Sequence, residues 1–260
     1  MSSNKETPIK TIGFVLAVCL VCAALVSISA VGLKDKQVAN KLLDQQTKIL
    51  ETAGLLDVAG DDIVATFNKY VDSKMIDLDS GDFIEGNPEL FDERRNSRDA
   101  TKSDKPENDM AGINRRSHNA VIYLVRDDAG SVKTVVLPIV GSGLWDLMYG
   151  YVGLESDLNT VRSVVYSDHK ETPGLGAEVM NPKWKALWPG KKIYDQNGVA
   201  KVRLVKGGVK AGDVHGVDAL SGATLTSNGV TRTLQFWFGE EGYAPFIAKY
   251  RSSLGKGGAH

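Results

Sequence analysis

The stretch VDALSGATLTSNGV, residues 217–230, sets four hydroxyl side chains, Ser221, Thr224, Thr226 and Ser227, around Gly222 and Ala223, with Asp218 just upstream. Hydroxyls on so small a backbone suit two roles. In front of a helix they cap unpaired N–H groups. With the positive end of the helix dipole behind them, and glycine letting a ligand reach the backbone, they seat an anion such as a phosphate. The spacing alone leaves open an ordinary Ser/Thr-rich turn and a phosphate site.

Two further pieces are rich in glycine, GSGLWD (141–146) and GLGAEV (174–179). Both begin like a dinucleotide fingerprint, but Asp146 and Val179 stand where the third glycine belongs, and no βαβ unit surrounds them. A nicotinamide site is therefore not read from either. They do place Trp145, Met148 and Tyr149 beside one turn and Thr172, Pro173 and Leu175 beside another, material for a slot around a flat ring and equally for a packed core. His118, His169, His215 and His260 are scattered, so neither a zinc site nor a hydrolytic triad can be assembled, and no metal site is expected. The only cysteines, Cys19 and Cys22, share one helix face inside an apolar run. Two thiols fall short of the four ligands of a zinc or iron–sulfur site and read as small packing residues.

The elements that must position these residues follow from composition and periodicity. The chain has 260 residues, 42% hydrophobic and 24% charged, enough for one good-sized core. Its 31 basic and 32 acidic residues are interspersed, for a net charge of -1, which gives no reason to expect nucleic acid as a partner. Residues 12–33, IGFVLAVCLVCAALVSISAVGL, carry no charge, and roughly 20 such residues span a bilayer core. A single transmembrane helix is expected there after a short tail (1–11). A cleaved signal peptide would have a shorter apolar region and a better small-residue cleavage pattern. Lys5 and Lys10 precede the run, whereas Lys34, Lys36, Lys41 and Lys48 follow it, which weakly favours a cytoplasmic C-terminal part; a long domain overrides such a bias.

Apolar spacing predicts helices over 38–55 and 61–71. Residues 85–117 mix both charge signs with few large apolar residues and predict a solvated loop or loose helix. AVIYLVRD (120–127) and VKTVVLPIV (132–140) predict a hairpin, VRSVVYSDH (161–169) a strand, and IYDQNGVAKVRLV (193–205) a second hairpin on Asn197-Gly198. SNGVTRTLQFWFG (227–239) predicts a helix capped by Ser227 or Thr226. The soluble part, 34–260, is thus expected to be α+β, a central antiparallel sheet flanked by helices. No internal repeat is present.

Asp218-Ala219-Leu220-Ser221-Gly222-Ala223-Thr224 resembles the flavinylation signal Asp-x-x-Ser/Thr-Gly-Ala-Thr of FMN-carrying domains, whose last threonine is esterified to the FMN phosphate by a flavin transferase. The anchor, GDFIEGN (81–87), GLWDLMYGYVGLE (143–155), ETPGLGAEV (171–179), KGG (206–208) and HGVDALSGATLTSNGV (215–230) come in the order found in C subunits of bacterial sodium-translocating NADH:quinone oxidoreductases. The chain resembles that family over nearly its whole length. The rival, the G subunit of the Rnf electron-transport complex, shares anchor and signal but lacks the long charged insert. The resemblance implies covalent FMN at Thr224, recognition by the transferase through Asp218, and a phosphate seat of Ser221, Gly222 and Ala223. It implies a ring wall of Trp145, Thr172, Gly174, Leu175 and Gly176, with Lys206 as a partner for phosphate or ring. It also implies an electron relay with no complete active site of its own, and partner subunits that carry the other flavins and the iron–sulfur centre. The domain would then face the periplasm from the inner membrane, against the charge count. A cofactor-free, membrane-anchored binding or scaffold module, with SGATLT as a helix cap, is the alternative from another class.

Overall fold

The computed structural model describes residues 8–254; the first seven residues of the expected tail, and His260, lie outside them. Helix α1 (Pro8–Ala53) takes in both the apolar run and the segment predicted as a separate helix over 38–55. This corrects the sequence reading. Residues 34–37 contain neither glycine nor proline, so nothing interrupts the hydrogen-bond ladder. It ends at Gly54, whose φ of 69° suits a helix C-terminus. The chain divides into two compact units, one ending at Asp44 and the other beginning at Gln45.

In the second unit, α2 (Leu56–Ala59) and α3 (Ile63–Tyr70) come first. Asp62 caps α3 by accepting the Ala65 N–H at 3.0 Å. The helix predicted over 61–71 stops at Tyr70 because Val71 already begins β1 (Val71–Asp77), a strand the sequence did not announce. After β2 (Phe83–Ile84), the charged segment holds α4 (Glu93–Asn96), β3 (Ser103–Asp104) and β4 (Arg116–Ser117). Most of it is irregular and stays at the surface, as expected, but it is pinned more firmly than a solvated loop or loose helix would be. Asp92, Asp99 and Asp109 accept neighbouring backbone N–H groups, while Ser103, Ala111, Ile113, Arg116 and Ser117 are buried. Arg116 donates to the Glu241 carbonyl oxygen at 2.6 Å and pairs with Asp79, so its charge is buried with partners.

β5 (Asn119–Arg126) and β6 (Val132–Ser142) form the predicted hairpin, followed by β7 (Leu147–Glu155) and β8 (Val161–Asp168). The six-stranded sheet, in the order β2-β1-β5-β6-β7-β8, is antiparallel throughout. Both faces are covered, as β5 illustrates. Ile122 and Leu124 enter the main core, whereas Val121, Tyr123 and Val125 enter a smaller one against Ile49 and Ala53 of α1. Burying Ile49 contributes about 1.5–3 kcal/mol, which ties the end of α1 into this unit.

Beyond α5 (Pro182–Lys185), the predicted hairpin over 193–205 shrinks to a turn with one bridge, Tyr194 to Ala200. Asp195 draws the turn shut by accepting the Asn197 and Val199 N–H groups. What remains extended is β9 (Arg203–Val205), paired in parallel with β10 (Gly216–Asp218). Then come α6 (Thr224–Trp237) and α7 (Ala244–Leu254). Helix α6 lies on β6 at a glycine-to-backbone approach. A Cβ on Gly229 would fall under 3.0 Å from the Ser142 carbonyl oxygen, and one on Gly141 would overlap Thr233. The architecture is the α+β one expected, a central antiparallel sheet flanked by helices.

Candidate functional site

The parallel pairing of β9 and β10 sets Asp218 opposite Val205. Asp218 accepts the Val209 N–H at 2.7 Å through Oδ1, and its carbonyl oxygen accepts the Trp184 indole N–H at 3.0 Å. The chain then reverses at Gly222, φ 70°, where a Cβ would stand 3.0 Å from Leu175 Cδ2. α6 begins two residues later, at Thr224 itself. This shifts the helix start from the predicted Ser227. Neither predicted cap holds: Ala223 occupies the N-cap position with no side-chain cap. Thr226 instead donates to Glu171, and Ser227 accepts the Leu220 N–H and donates to the Ala223 carbonyl oxygen. Ser221, Gly222 and Thr224 are exposed and Ala223 is buried. The result is an open helix N-terminus with unpaired amides and an exposed hydroxyl in its first turn.

The two glycine-rich pieces converge on this terminus. Trp145 donates its indole N–H to Thr172 Oγ1 at 3.2 Å, and Leu175, beyond Gly174 at φ 75°, meets Gly222. Gly176 packs against Glu171 and Thr226, closing the second piece onto α6. Trp145 is 68% exposed, Leu144 46%, Leu175 43% and Leu225 58%. Large apolar side chains left in solvent around a polar helix end mark a binding surface. Of the aromatics and methionine that core packing could also have claimed, Met148 is buried and Tyr149 half-buried, and only Trp145 stands free of the core. Lys206 is exposed, one residue past β9 and next to Asp218 in the pairing, but no contact joins it to Thr224.

Sequence reasoning missed Glu171, Leu144 and Leu225. Glu171 is 5% exposed; its Oε1 accepts the Leu144 N–H at 2.8 Å and the Trp145 N–H at 3.1 Å, and its Oε2 takes the Thr226 hydroxyl. The signal was present as the first letter of ETPGLG, yet its partners lie on two other segments. The charged segment also reaches this region: the Arg94 guanidinium lies 3.6 Å from the centre of the Tyr149 ring and pairs with Asp168 at 2.6 Å. Lys170 binds Asp146 and holds that carboxyl below its ordinary range. His118 pairs with Asp104, His169 accepts the Glu171 N–H, and His215 Nδ1 meets the Lys192 carbonyl oxygen. Two cavities, of about 370 and 360 Å³, lie elsewhere, near Arg162 and near His118.

An FMN-binding domain family matches residues 143–239, the span from the Trp145 turn to the end of α6. The chain is 48% identical to the C subunit of the Na(+)-translocating NADH-quinone reductase of Vibrio alginolyticus over 253 residues, 96% of this chain and 98% of that protein. It is 45% identical to the corresponding protein of Yersinia pestis over 259 residues, 98% of this chain and 97% of that protein. The crystal structure of Shewanella oneidensis NqrC superposes with a TM-score of 0.79 at 42% identity, covering 83% of this chain and all of that one. The crystal structure of the C subunit from Parabacteroides distasonis gives 0.65 at 29% identity, covering 83% of this chain and 96% of that one. With relatives this similar over nearly their whole length, and an FMN-binding domain spanning the converging loops, this chain belongs to the C subunits of Na(+)-translocating NADH-quinone reductase.

Proposed function

We propose that this chain carries one FMN, joined through its phosphate to Thr224 Oγ1, and relays electrons within a membrane-bound sodium-pumping NADH:quinone oxidoreductase. The observation that carries this reading is the exposed Thr224 hydroxyl in the uncapped first turn of α6, beside Trp145, Leu175 and Leu225, all open to solvent. These residues fit the group. The first-turn amides and the helix dipole favour the negative charge of a phosphodiester, Gly222 and Ala223 are small enough to let it come close to the backbone, and Ser221 adds a hydroxyl at its rim. Trp145, Leu144, Thr172, Gly174, Leu175 and Gly176 would wall a flat ring. Asp218 stands exposed upstream, accessible to a flavin transferase, and Lys206 offers a cation beside it.

Bound FMN supplies reversible uptake and release of electrons. The chain's own residues bind, orient and shield. Esterification at Thr224 leaves the ring chemically free, and the apolar wall limits water around it. The other membrane, flavin and iron–sulfur subunits of the complex would donate and accept the electrons. Residues 12–33 would cross the inner membrane once, after the tail 1–11, placing the soluble part (34–260) in the periplasm. Among the described residues, one helix, α1, is long and apolar enough to cross. The test is flavin fluorescence in a denaturing gel. The chain produced with the flavin transferase should show a band, and the chain without it, or Thr224→Val with it, should not. A band in Thr224→Val would overturn the attachment, and no band in any sample would favour the scaffold alternative.

A further inference from the structure

Glu171 is unusual among the acidic residues of this domain. It is 5% exposed, and no cation pairs with it among the described residues. A buried carboxylate is costly unless its oxygens are satisfied. Here the satisfaction comes from donors alone. The Leu144 and Trp145 N–H groups meet one oxygen and the Thr226 hydroxyl meets the other. Three donors and no acceptor is the pattern an acceptor-only carboxylate meets.

These donors belong to separate parts of the site. Leu144 and Trp145 form the turn between β6 and β7, Glu171 begins the loop that supplies Thr172 and Leu175, and Thr226 is two residues past Thr224. The glycines corroborate the arrangement. A Cβ on Gly143 would fall under 3.0 Å from Glu171 Oε1, and one on Gly176 would do the same to Oε2. Glycine in both motifs, which resembles a broken nucleotide fingerprint in the sequence, thus leaves room for one carboxylate. Its backbone is steadied in turn, with His169 Nδ1 accepting the Glu171 N–H at 3.2 Å.

We propose that Glu171 is the positioning residue of this site: its carboxylate clamps the Leu144–Trp145 turn to the first turn of α6 and so fixes the apolar wall relative to Thr224. The proposal rests on the flavin reading for its consequence, though not for the clamp itself. Removing the clamp leaves the Thr224 hydroxyl in place but frees the wall to move away from it. Glutamine in its place keeps one oxygen for the two N–H groups and offers its amide to the Thr226 oxygen, so the clamp survives. Alanine loses all three contacts.

The experiment uses the full-length chain produced with the flavin transferase, as wild type, Glu171→Gln, Glu171→Ala and Thr226→Val. Attachment is read by gel fluorescence, and the ring's surroundings by the visible spectrum and reduction midpoint of the folded protein. The clamp itself is read by hydrogen exchange at the Leu144 and Trp145 amides in flavin-free chain. Glu171→Ala should keep covalent flavin while its spectrum and midpoint shift towards those of flavin in water, and both amides should lose at least about tenfold protection. Glu171→Gln should restore spectrum and protection. If Glu171→Ala does not fold, Thr226→Val, which keeps the shape and breaks only the helix end of the clamp, should show the same direction of spectral shift. An unshifted spectrum and midpoint with unchanged amide protection, in either Glu171→Ala or Thr226→Val, overturns the clamp. A wild-type chain with no covalent flavin overturns the function proposed above, and the amide protection then decides the clamp alone.

Discussion

Gly229 sits in the middle of α6, where an alanine should help a helix and here should harm the protein. In a free helix, Gly→Ala is favourable by about 1 kcal/mol. In this fold the added methyl would fall well under 3.0 Å from the Ser142 carbonyl oxygen, against 3.4–4 Å for an ordinary contact. Both sides of that contact are backbone, so no side chain can swing away; α6 has to lift off β6, and Trp237, whose indole N–H donates to the Val140 carbonyl oxygen at 2.7 Å, is pulled with it. Overpacking costs about 1–3 kcal/mol, and an approach this close to a backbone oxygen falls in the upper part of that range, about 2–3 kcal/mol. The clash exceeds the propensity gain, for a net loss of about 1–2 kcal/mol, or a fall in Tm of roughly 2–8 °C for a domain of this size. Thermal unfolding of Gly229→Ala beside Asn228→Ala measures it. Asn228 is exposed one residue away, so its alanine variant registers propensity without the clash and should be neutral or slightly stabilising. Equal or higher stability of Gly229→Ala would refute the close packing of α6 on β6, and with it the placement of Thr224.

Three further outcomes are expected. Trp145→Ala should keep covalent flavin and lose little stability, within about 0.5 kcal/mol, because the side chain is 68% exposed. The flavin spectrum and midpoint should move nonetheless, as read by potentiometric titration, and an unmoved midpoint removes Trp145 from the wall. Burial pushes the Glu93 carboxyl from its ordinary 4.5 up to about 7. A raised acid favours the folded state in its protonated form, so that contribution is complete below 4.5 and is lost as pH climbs through about 7. Denaturant midpoints of wild type should therefore fall over that window while those of Glu93→Gln stay flatter, and parallel curves would contradict this. A chain beginning at Lys34 should be soluble and accept flavin, whereas one beginning at Leu55 should fail to fold, because it lacks the buried Ile49, Leu50 and Ala53. Gel filtration and circular dichroism distinguish the two, and a folded chain beginning at Leu55 would show that the end of α1 is dispensable.

What could be read in the sequence was what is contiguous in it. The apolar run at 12–33, the β5–β6 hairpin and the Ser221–Thr224 signal each carry their pattern within a few residues. β7 was hidden because Gly150 and Gly153 interrupt it, and both pack tightly, against the Val165 carbonyl oxygen and the Thr52 carbonyl oxygen respectively. The segment 85–117 misled because, Ile113 apart, its buried members are small or polar, and Arg116 is buried only with the help of Asp79 and Glu241. At the proposed site, the turn before α6 is written in consecutive residues, and Trp145 and Leu175 could be nominated from the glycines around them; the structure brings these loops together. Glu171 could not, because its role exists only when three loops meet. The start of α6 was displaced for the same reason: Thr226 and Ser227 look like caps, but tertiary partners claim their hydroxyls.

A covalent flavin at one hydroxyl can be weighed directly, by mass spectrometry of the chain purified from membranes that also contain the flavin transferase. The intact chain should gain the mass of one FMN less one water, and after proteolysis the whole gain should lie on the peptide containing Thr224, with fragment ions placing it on residue 224. An unmodified chain, or a flavin on Ser221, Thr226 or Ser227 instead, would rule out Thr224 as the attachment site.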